Sequence, residues 1–373
     1  MLNKILDYLK KEKVLTIALI LAVVSMFFVH PDASYMEYID LHVLALLFCL
    51  MLLVKGFQEM GLFDVLIERS FGGIKGSRGL SQVLIFLCFF TSMIITNDVA
   101  LITFVPFSLM ALEMCHQEKL MIKVVVLQTI AANLGSMLTP IGNPQNLYLY
   151  TTSGMSLGEF FQAILPLAVV SLILLGVSTF LIKNEPITMD MTGEKTKLEG
   201  SGLFTGYLFL FMLNMLVVLR IMSWVPALII TIGGVMVLGK KELIKHVDYS
   251  LLLTFVGFFI FVGNMGRIEV INDMIAAMIE SREIFAAAMF SQVLSNVPAA
   301  ILLSGFTEDF SSLLIGTNVG GLGTLIASMA SLISYKLYAQ HERADKGQYL
   351  LVFTGYNVIG LAALLIFCYF VLI

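Results

Sequence analysis

Thr96-Asn97-Asp98-Val99-Ala100-Leu101 interrupts a long apolar run, 80–112, with three consecutive polar residues, and Ser295-Asn296-Val297-Pro298-Ala299-Ala300 interrupts a second run, 283–306, in the same manner. The two stretches lie 199 positions apart, and a serine stands four residues upstream of each, Ser92 and Ser291. Farther along, Asn133-Leu134-Gly135-Ser136 followed by Thr139 and Ile141 matches Asn318-Val319-Gly320-Gly321 followed by Thr324 and Ile326, 185 positions apart. Each half of the chain therefore reads as a helical hairpin with a polar tip, followed by a glycine-rich broken helix. Such paired interruptions are hard to produce by packing alone.

The surrounding composition fixes the class. Of 373 residues, 59% are hydrophobic and 13% charged, with a mean hydropathy of +0.95; soluble domains are about a quarter charged. Several apolar stretches exceed the roughly 18 residues that mark a membrane span. A net charge of −4 gives no reason to expect nucleic acid as a partner. Cys49, Cys88, Cys115 and Cys368 lie in or beside apolar segments without C-x-x-C spacing, which excludes a zinc site or disulfide framework as the organising feature.

Lys and Arg in short loops mark the cytoplasmic side of a membrane protein. Four lysines by position 13 put the N-terminus inside, and His30-Pro31-Asp32 after the first apolar run offers no small-residue cleavage site, so that run reads as a retained span. Spans are expected at about 14–30, 41–57, 124–148, 160–182, 203–219, 224–239, 249–264, 311–335 and 349–372, with an amphipathic stretch at 265–282. The run 80–112 has positive charge at both ends and reads as a re-entrant hairpin entering from the cytoplasm; 283–306 ends at Thr307-Glu308-Asp309 and enters from outside. Arg267 and Arg282 fall on the wrong side of this scheme. The expectation is an all-α polytopic membrane protein with about nine transmembrane spans and two opposed hairpins. An N-terminal repeat (1–182) joins through a cytoplasmic linker (183–202) and a connecting span (203–223) to a C-terminal repeat of inverted topology (224–373). Inverted repeats with broken helices are the build of secondary transporters, whose site lies at the midplane between the repeats.

At these residues the chain resembles the ion transporter superfamily, which includes divalent anion/sodium symporters, citrate carriers, arsenite permeases and some sodium/proton antiporters. Ile95-Thr96-Asn97-Asp98 is similar to that superfamily's Ser-Asn-Thr or Ser-Asn-Asp tip, and Thr139-Pro140-Ile141-Gly142-Asn143-Pro144-Gln145-Asn146 to its Thr-Pro-Pro-Asn-like unwound turn. Ser295-Asn296-Val297 matches the second tip, whereas the turn Ile326-Ala327-Ser328-Met329-Ala330-Ser331 departs from the pattern. The resemblance spans about 40–372 and implies alternating access, dimerisation and Na+ as coupling ion. It implies one Na+ site at Ser92, Thr96 and Asn97 with the backbone near Gly142, and a second at Ser291, Ser295 and Asn296 with the backbone near Ala327. Asn97, Asp98, Asn143, Asn296 and Val297 would line the site of a small anionic, carboxylate-type substrate. Asp98 in place of Thr, and Val297 without a hydroxyl, weaken the case for a di- or tricarboxylate, because a carboxylate beside an anion repels it unless protonated or cation-bound.

Asp98 is the only ionisable residue well inside a proposed span, a costly placement that usually marks function. It suits cation binding, or proton exchange in an arsenite/antimonite efflux permease or Na+/H+ antiporter; it also suits a plain helix cap. Other matches carry less. Gly154-Met155-Ser156-Leu157-Gly158 satisfies G-x-S-x-G but sits in a short loop of a helical protein without Asp and His partners. Gly234-x4-Gly239-Lys240 lacks the Ser or Thr of a phosphate-binding loop. No His, Cys pair or second carboxylate is expected at the midplane, so an embedded enzyme has no machinery there, and an uncoupled channel would need flux that follows potential alone.

Overall fold

The computed structural model describes residues 12–63, 65–66, 74–187 and 200–372, and their regular structure is helical apart from one isolated bridge between Gly76 and Pro186. Local chemistry starts many of the helices. Asp40, Asp248, Asp309 and Asp345 each accept a hydrogen bond from the backbone N–H three residues on, and Ser156 with Glu159 forms a reciprocal capping box. These caps open α2 (Leu41–Glu59), α10 (Tyr249–Gly266), α14 (Phe310–Val319), α16 (Lys346–Phe367) and α7 (Leu157–Phe180). Besides the single turn Tyr35–Tyr38, the other described α-helices are α1 (Lys13–Met26), α3 (Ser77–Ile95), α4 (Asn97–Met114), α5 (Met121–Ser136), α6 (Pro144–Ser153), α8 (Ser201–Val218), α9 (Trp224–Val237), α11 (Glu269–Ile279), α12 (Glu283–Leu294), α13 (Asn296–Ser304) and α15 (Met329–Ala339).

Seven of the described helical segments are long and apolar enough to cross a membrane, and five shorter apolar helices accompany them. The all-α polytopic class follows. The run expected at 80–112 is the pair α3–α4, and 283–306 is the pair α12–α13; in each pair one residue joins two helices that fold back on one another. The arms differ in length: α3 and α4 have 19 and 18 residues, α12 and α13 only 12 and 9. The amphipathic stretch after α10 is α11. Of the polar linker, Glu185 and Ile187 are pinned to the start of α3, by Ser77 N–H on the Glu185 carbonyl and Ile187 N–H on the Lys75 carbonyl; 188–199 lie outside the described residues. Arg267, on the unexpected side by charge counting, is held by Asp32 at 2.8 Å, and that hydrogen bond keeps the Asp32 carboxyl below its ordinary range.

The packing of the two halves corresponds. Hairpin α3–α4 lies on α5, and hairpin α12–α13 lies on α14. The partners then cross over: α4 packs on α15 of the second half, and α13 on α6 of the first. Glycines set how close the hairpins come. A Cβ on Gly135 would stand 2.0 Å from the Phe89 carbonyl oxygen and 2.7 Å from Ser92 Oγ; one on Gly320 would stand 2.7 Å from Ser291 Oγ and 2.8 Å from the Ala288 Cα. The matched serines and glycines of the sequence are thus the two faces of one helix contact, made twice.

Because backbone stands in the way, Gly135→Ala must push α3 and α5 apart. It should destabilise the protein by about 1–3 kcal/mol, read as a lower thermal midpoint in detergent, whereas Gly176→Ala on α7, which has open space around it, should leave the midpoint unchanged or slightly raised.

Candidate transport site between the two hairpin tips

Each hairpin turns on a single residue in a rarely occupied backbone conformation. Thr96 has φ 69° and ψ 149°, and Ser295 has φ 81° and ψ 153°. A positive φ with extended ψ is a glycine-like region, costing other residues about 1–3 kcal/mol, and it persists only where the surroundings impose it. Those surroundings are the same in both halves. The N–H of Asn97 donates to the Gly142 carbonyl at 3.2 Å, and that of Asn296 to the Ala327 carbonyl at 2.9 Å. Each asparagine then accepts, on its own Oδ1, the N–H of the next residue, Asp98 or Val297, at 3.0 Å.

Past the tips, α5 and α14 unwind into turns that end on the caps of α6 and α15. Asn143 caps α6 by accepting from Asn146 N–H at 2.9 Å, and its Nδ2 donates to Asn318 Oδ1 at 3.1 Å. The corresponding residue of the second half is Ser328, whose Oγ donates to Asn133 Oδ1 at 2.9 Å. So the cap of each half is tied to the asparagine of the other. Asn97 Nδ2 also donates to Asn133 Oδ1, at 3.0 Å, and Asn318 Nδ2 to Asn146 Oδ1, at 2.7 Å. Asn146 Nδ2 in turn satisfies the carbonyls of Met137 and Thr139 in the unwound turn. Buried amides need such partners, since an unmade hydrogen bond costs about 1–3 kcal/mol.

Between the tips lies a void of about 10 Å³, lined by Asn97, Asp98, Pro144, Gln145, Leu251, Asn296, Val297, Ser328 and Met329. That is room for about one water-sized occupant. It adjoins a larger cavity of about 200 Å³ that shares Asp98, Pro144, Leu251 and Met329, and that runs past Thr96, Asn143 and Lys55 to the exposed His246 and Asp248. Asp98 stands between the two spaces, with its Oδ1 buried and without a hydrogen-bond partner. On α6 and α13, beyond the void, Tyr148 OH and Ser304 Oγ meet at 2.7 Å while the Tyr148 ring packs on Phe255 and Phe259.

Of the substrate-lining residues expected from sequence, Asn97, Asp98, Asn296 and Val297 share the small void, and Asn143 lines the larger cavity. Of the cation-site residues, Thr96, Asn97 and Gly142 meet at the first tip, and Ser295, Asn296 and Ala327 at the second. A carbonyl that accepts one N–H keeps a second lone pair, so Gly142 retains an oxygen position that could face a cation, whereas the Ala327 carbonyl accepts from Ser295 Oγ at 3.5 Å as well as from the Asn296 N–H. Ser92 and Ser291 instead donate back into their own helices, to the Phe89 and Ala287 carbonyls, and face Gly135 and Gly320. Five residues outside the expected set complete the network: Asn133, Asn146, Asn318, Ser328 and Ser331. The first four join the two halves directly, and Ser331 lies 3.5 Å from Asn133 Nδ2. The signal for Asn133 and Asn318 was their place at the head of the second repeated motif; for Ser328 and Ser331, it was the same 185-residue spacing from Asn143 and Asn146.

The sequence profile of citrate transporters matches residues 5–312. The chain belongs to the citrate transporter family. That family is part of the ion transporter superfamily to which the tips pointed, and its members are transporters. Among relatives, an uncharacterized transporter of Methanocaldococcus jannaschii is 31% identical over 82% of this chain and 83% of its own length. The inner membrane protein YbiR of Escherichia coli is 31% identical over 86% of both. A silicon efflux transporter of Oryza sativa is 32% identical over 37% of this chain and 28% of its own length.

The tie between caps and asparagines should be measurable. In a double-mutant cycle, Asn143→Ala and Asn318→Ala should couple by about 0.5–3 kcal/mol in unfolding free energy, whereas Asn143→Ala paired with a distant lipid-facing change such as Ile173→Ala should be additive.

Proposed function

We propose that the chain is a secondary transporter that moves a small anion together with Na+ through the space between the hairpin tips by alternating access. One observation carries this reading: the void is lined by the first residues of four helices, Asn97 of α4, Asn296 of α13, Pro144 of α6 and Met329 of α15. A helix N-terminus carries roughly +0.5 of a charge, so four of them favour an anion through their dipoles, the N–H groups of Asn97, Asp98, Asn296 and Val297 being already bonded within the tips and Pro144 having none. Among the described residues no Lys, Arg or His lines the void. Asp98 does, and a bare carboxylate there repels an anion. A cation bound at Asp98 or at the tip carbonyls removes that repulsion, which makes occupancy by anion and cation mutually dependent. That mutual dependence is what coupling requires.

Specific features support the remaining parts. The 200 Å³ cavity reaches the face bearing Lys55 and His246, which the positive-inside rule assigns to the cytoplasm; Tyr148, Ser304 and the two phenylalanines then close the outer side. The chain would sit in the cytoplasmic membrane with its N-terminus inside, in keeping with the name of the E. coli relative, and work as a homodimer. A second reading rests on the unpartnered Asp98 Oδ1: proton-linked efflux of arsenite or antimonite, or Na+/H+ exchange. The name of the rice relative gives efflux as its direction, of silicon.

Thermal unfolding of the purified protein in Na+ against K+ or choline, with a panel of small anions, separates the two. Ligand at a hundred times its Kd stabilises by about 2.7 kcal/mol, so a Na+-specific rise deepened by one anion is the expected result. Transport should be lost in folded Asn97→Ala and Asn296→Ala. A pH-dependent rise, absent in Asp98→Asn and indifferent to Na+, favours the proton-linked reading instead.

The outer seal gives a separate expectation. Tyr148→Phe keeps the ring contacts and deletes one hydrogen bond, worth about 0.5–1.5 kcal/mol. The outward-open population should rise up to about tenfold, read as faster labelling of an engineered cysteine at position 297, which lines the void and leaves Ser304 in place, by an impermeant reagent, compared with the same cysteine beside Tyr148.

A further inference from the structure

A second cavity, of about 410 Å³, lies away from the tips, where α5 and α16 both begin. Its walls are Lys119 and Lys123 on one side, Arg343 and Asp345 on another, and the α16 stripe Gln348, Val352 and Tyr356. Its carboxylates are already engaged. Glu118 binds Arg343 at 2.9 Å, and Asp345 caps α16 by accepting from the Gln348 N–H at 2.9 Å. Lys119 is held by Glu185 from outside the cavity. Both ion pairs are substantially exposed, with side-chain exposures of 65% and 31% for Arg343–Glu118, and such pairs are weakly held and readily exchanged.

Lys123 is different. It is half-buried, makes no ion pair among the described residues, and its ammonium lies 5.9 Å from the centre of the Tyr356 ring. A half-buried ammonium resting only on a ring face is incompletely satisfied. An anion in the cavity would complete it and draw in Arg343 and Lys119 from their exposed partners. The level of the cavity says what kind of anion. Lys123 is in the first turn of α5 and Gln348 in the first turn of α16, so the basic groups lie where the apolar helices start, at headgroup height. Above them α16 is the most lipid-exposed of the long helices, with only 17% of its best apolar window buried and with Leu351, Ile359 and Ile366 on the surface.

We propose that this cavity binds the phosphate of an anionic phospholipid of the lysine-rich leaflet, with Lys123, Lys119 and Arg343 on the phosphate oxygens and the acyl chains along α16. Basic pockets between membrane helices on the cytoplasmic side bind such headgroups through charge and juxtaposed apolar surface. The site is independent of the transport reading, since it shares no residue with the tip cavities.

The test uses the full chain in mild detergent, delipidated and then titrated with phosphatidylglycerol or phosphatidylcholine of identical chains, bound lipid being counted by native mass spectrometry. Phosphatidylglycerol should be retained at least tenfold better than phosphatidylcholine. Lys123→Gln should abolish that preference, and Lys123→Arg should keep it. Since Lys123 makes no ion pair among the described residues and its ring contact is long, either change should move the thermal midpoint of the lipid-free protein by little. If the two lipids are retained equally, or Lys123→Gln keeps the preference, the proposal fails. Displacement of phosphatidylglycerol by glycerol 3-phosphate at equal concentration would overturn it in favour of a site for soluble phosphate esters.

Discussion

Everything at the centre of this molecule depends on two side-chain hydrogen bonds that cross between the halves, Asn143 to Asn318 and Ser328 to Asn133. An unwound turn inside a membrane protein leaves backbone groups that lipid cannot satisfy. Here each turn is closed by the other half: the cap that starts one helix is positioned by an asparagine from the opposite broken helix. The strained φ angles at Thr96 and Ser295 follow from this arrangement, because the tip amides must reach the Gly142 and Ala327 carbonyls that those turns expose. Four helix N-termini then face one small void. The site is a by-product of satisfying the turns.

The correspondence is not perfect, and the inequality is informative. In the first half, Asn146 supplies an amide that bonds two carbonyls of its own turn and accepts from Asn318 at 2.7 Å. In the second half, Ser331 stands at that position and meets Asn133 only at 3.5 Å, with the Gly321 carbonyl at 3.4 Å. At this one position the first half makes short bonds and the second longer ones; the second turn is held instead by Gln292, which donates to the Gly320 and Leu322 carbonyls at 3.0 and 2.9 Å and accepts from the Thr324 N–H at 2.8 Å. Val297 adds to this, since it offers the void no hydroxyl or carboxylate opposite Asp98. Polar recognition in the void is weighted toward the first tip.

The fold class and both hairpins were legible because they rest on features a sequence displays directly: apolar length, and polar residues where apolar ones are expected. The repeat offsets of 199 and 185 positions located the tips and the broken helices to the residue. What stayed hidden was partnership. The serines Ser92 and Ser291 share the tip motif, which suggested a role at the tip, yet a helical residue four positions back points along its own helix, and both hydroxyls sit under a glycine. Conversely, Asn133 and Asn318 were visible as a repeated asparagine, but only the crossing of the halves in space makes them receptors for the opposite cap. Ser328 and Ser331 were harder still, because serine in place of asparagine breaks the written motif: Ser328 keeps the bond to the opposite asparagine without capping its own helix by its side chain, and Ser331 keeps only a 3.5 Å contact. The charge scheme faltered at Arg267 for a similar reason: Asp32, 235 residues away, neutralises it.

The last helix carries a consequence for the bilayer itself. With its terminal turn it forms a helical segment of 27 residues, Lys346–Leu372, and the stretch beyond Lys346-Gly347-Gln348 runs about 36 Å at 1.5 Å per residue. The hydrocarbon layer is about 30 Å thick. Such a rod cannot stand upright without pushing apolar surface into the headgroups, so it must lean, or the membrane around it must thicken. With so little of that helix held by the rest of the protein, its lean is free to answer to the lipid, and the thickness of the host membrane becomes a variable that reaches the protein through its most exposed element.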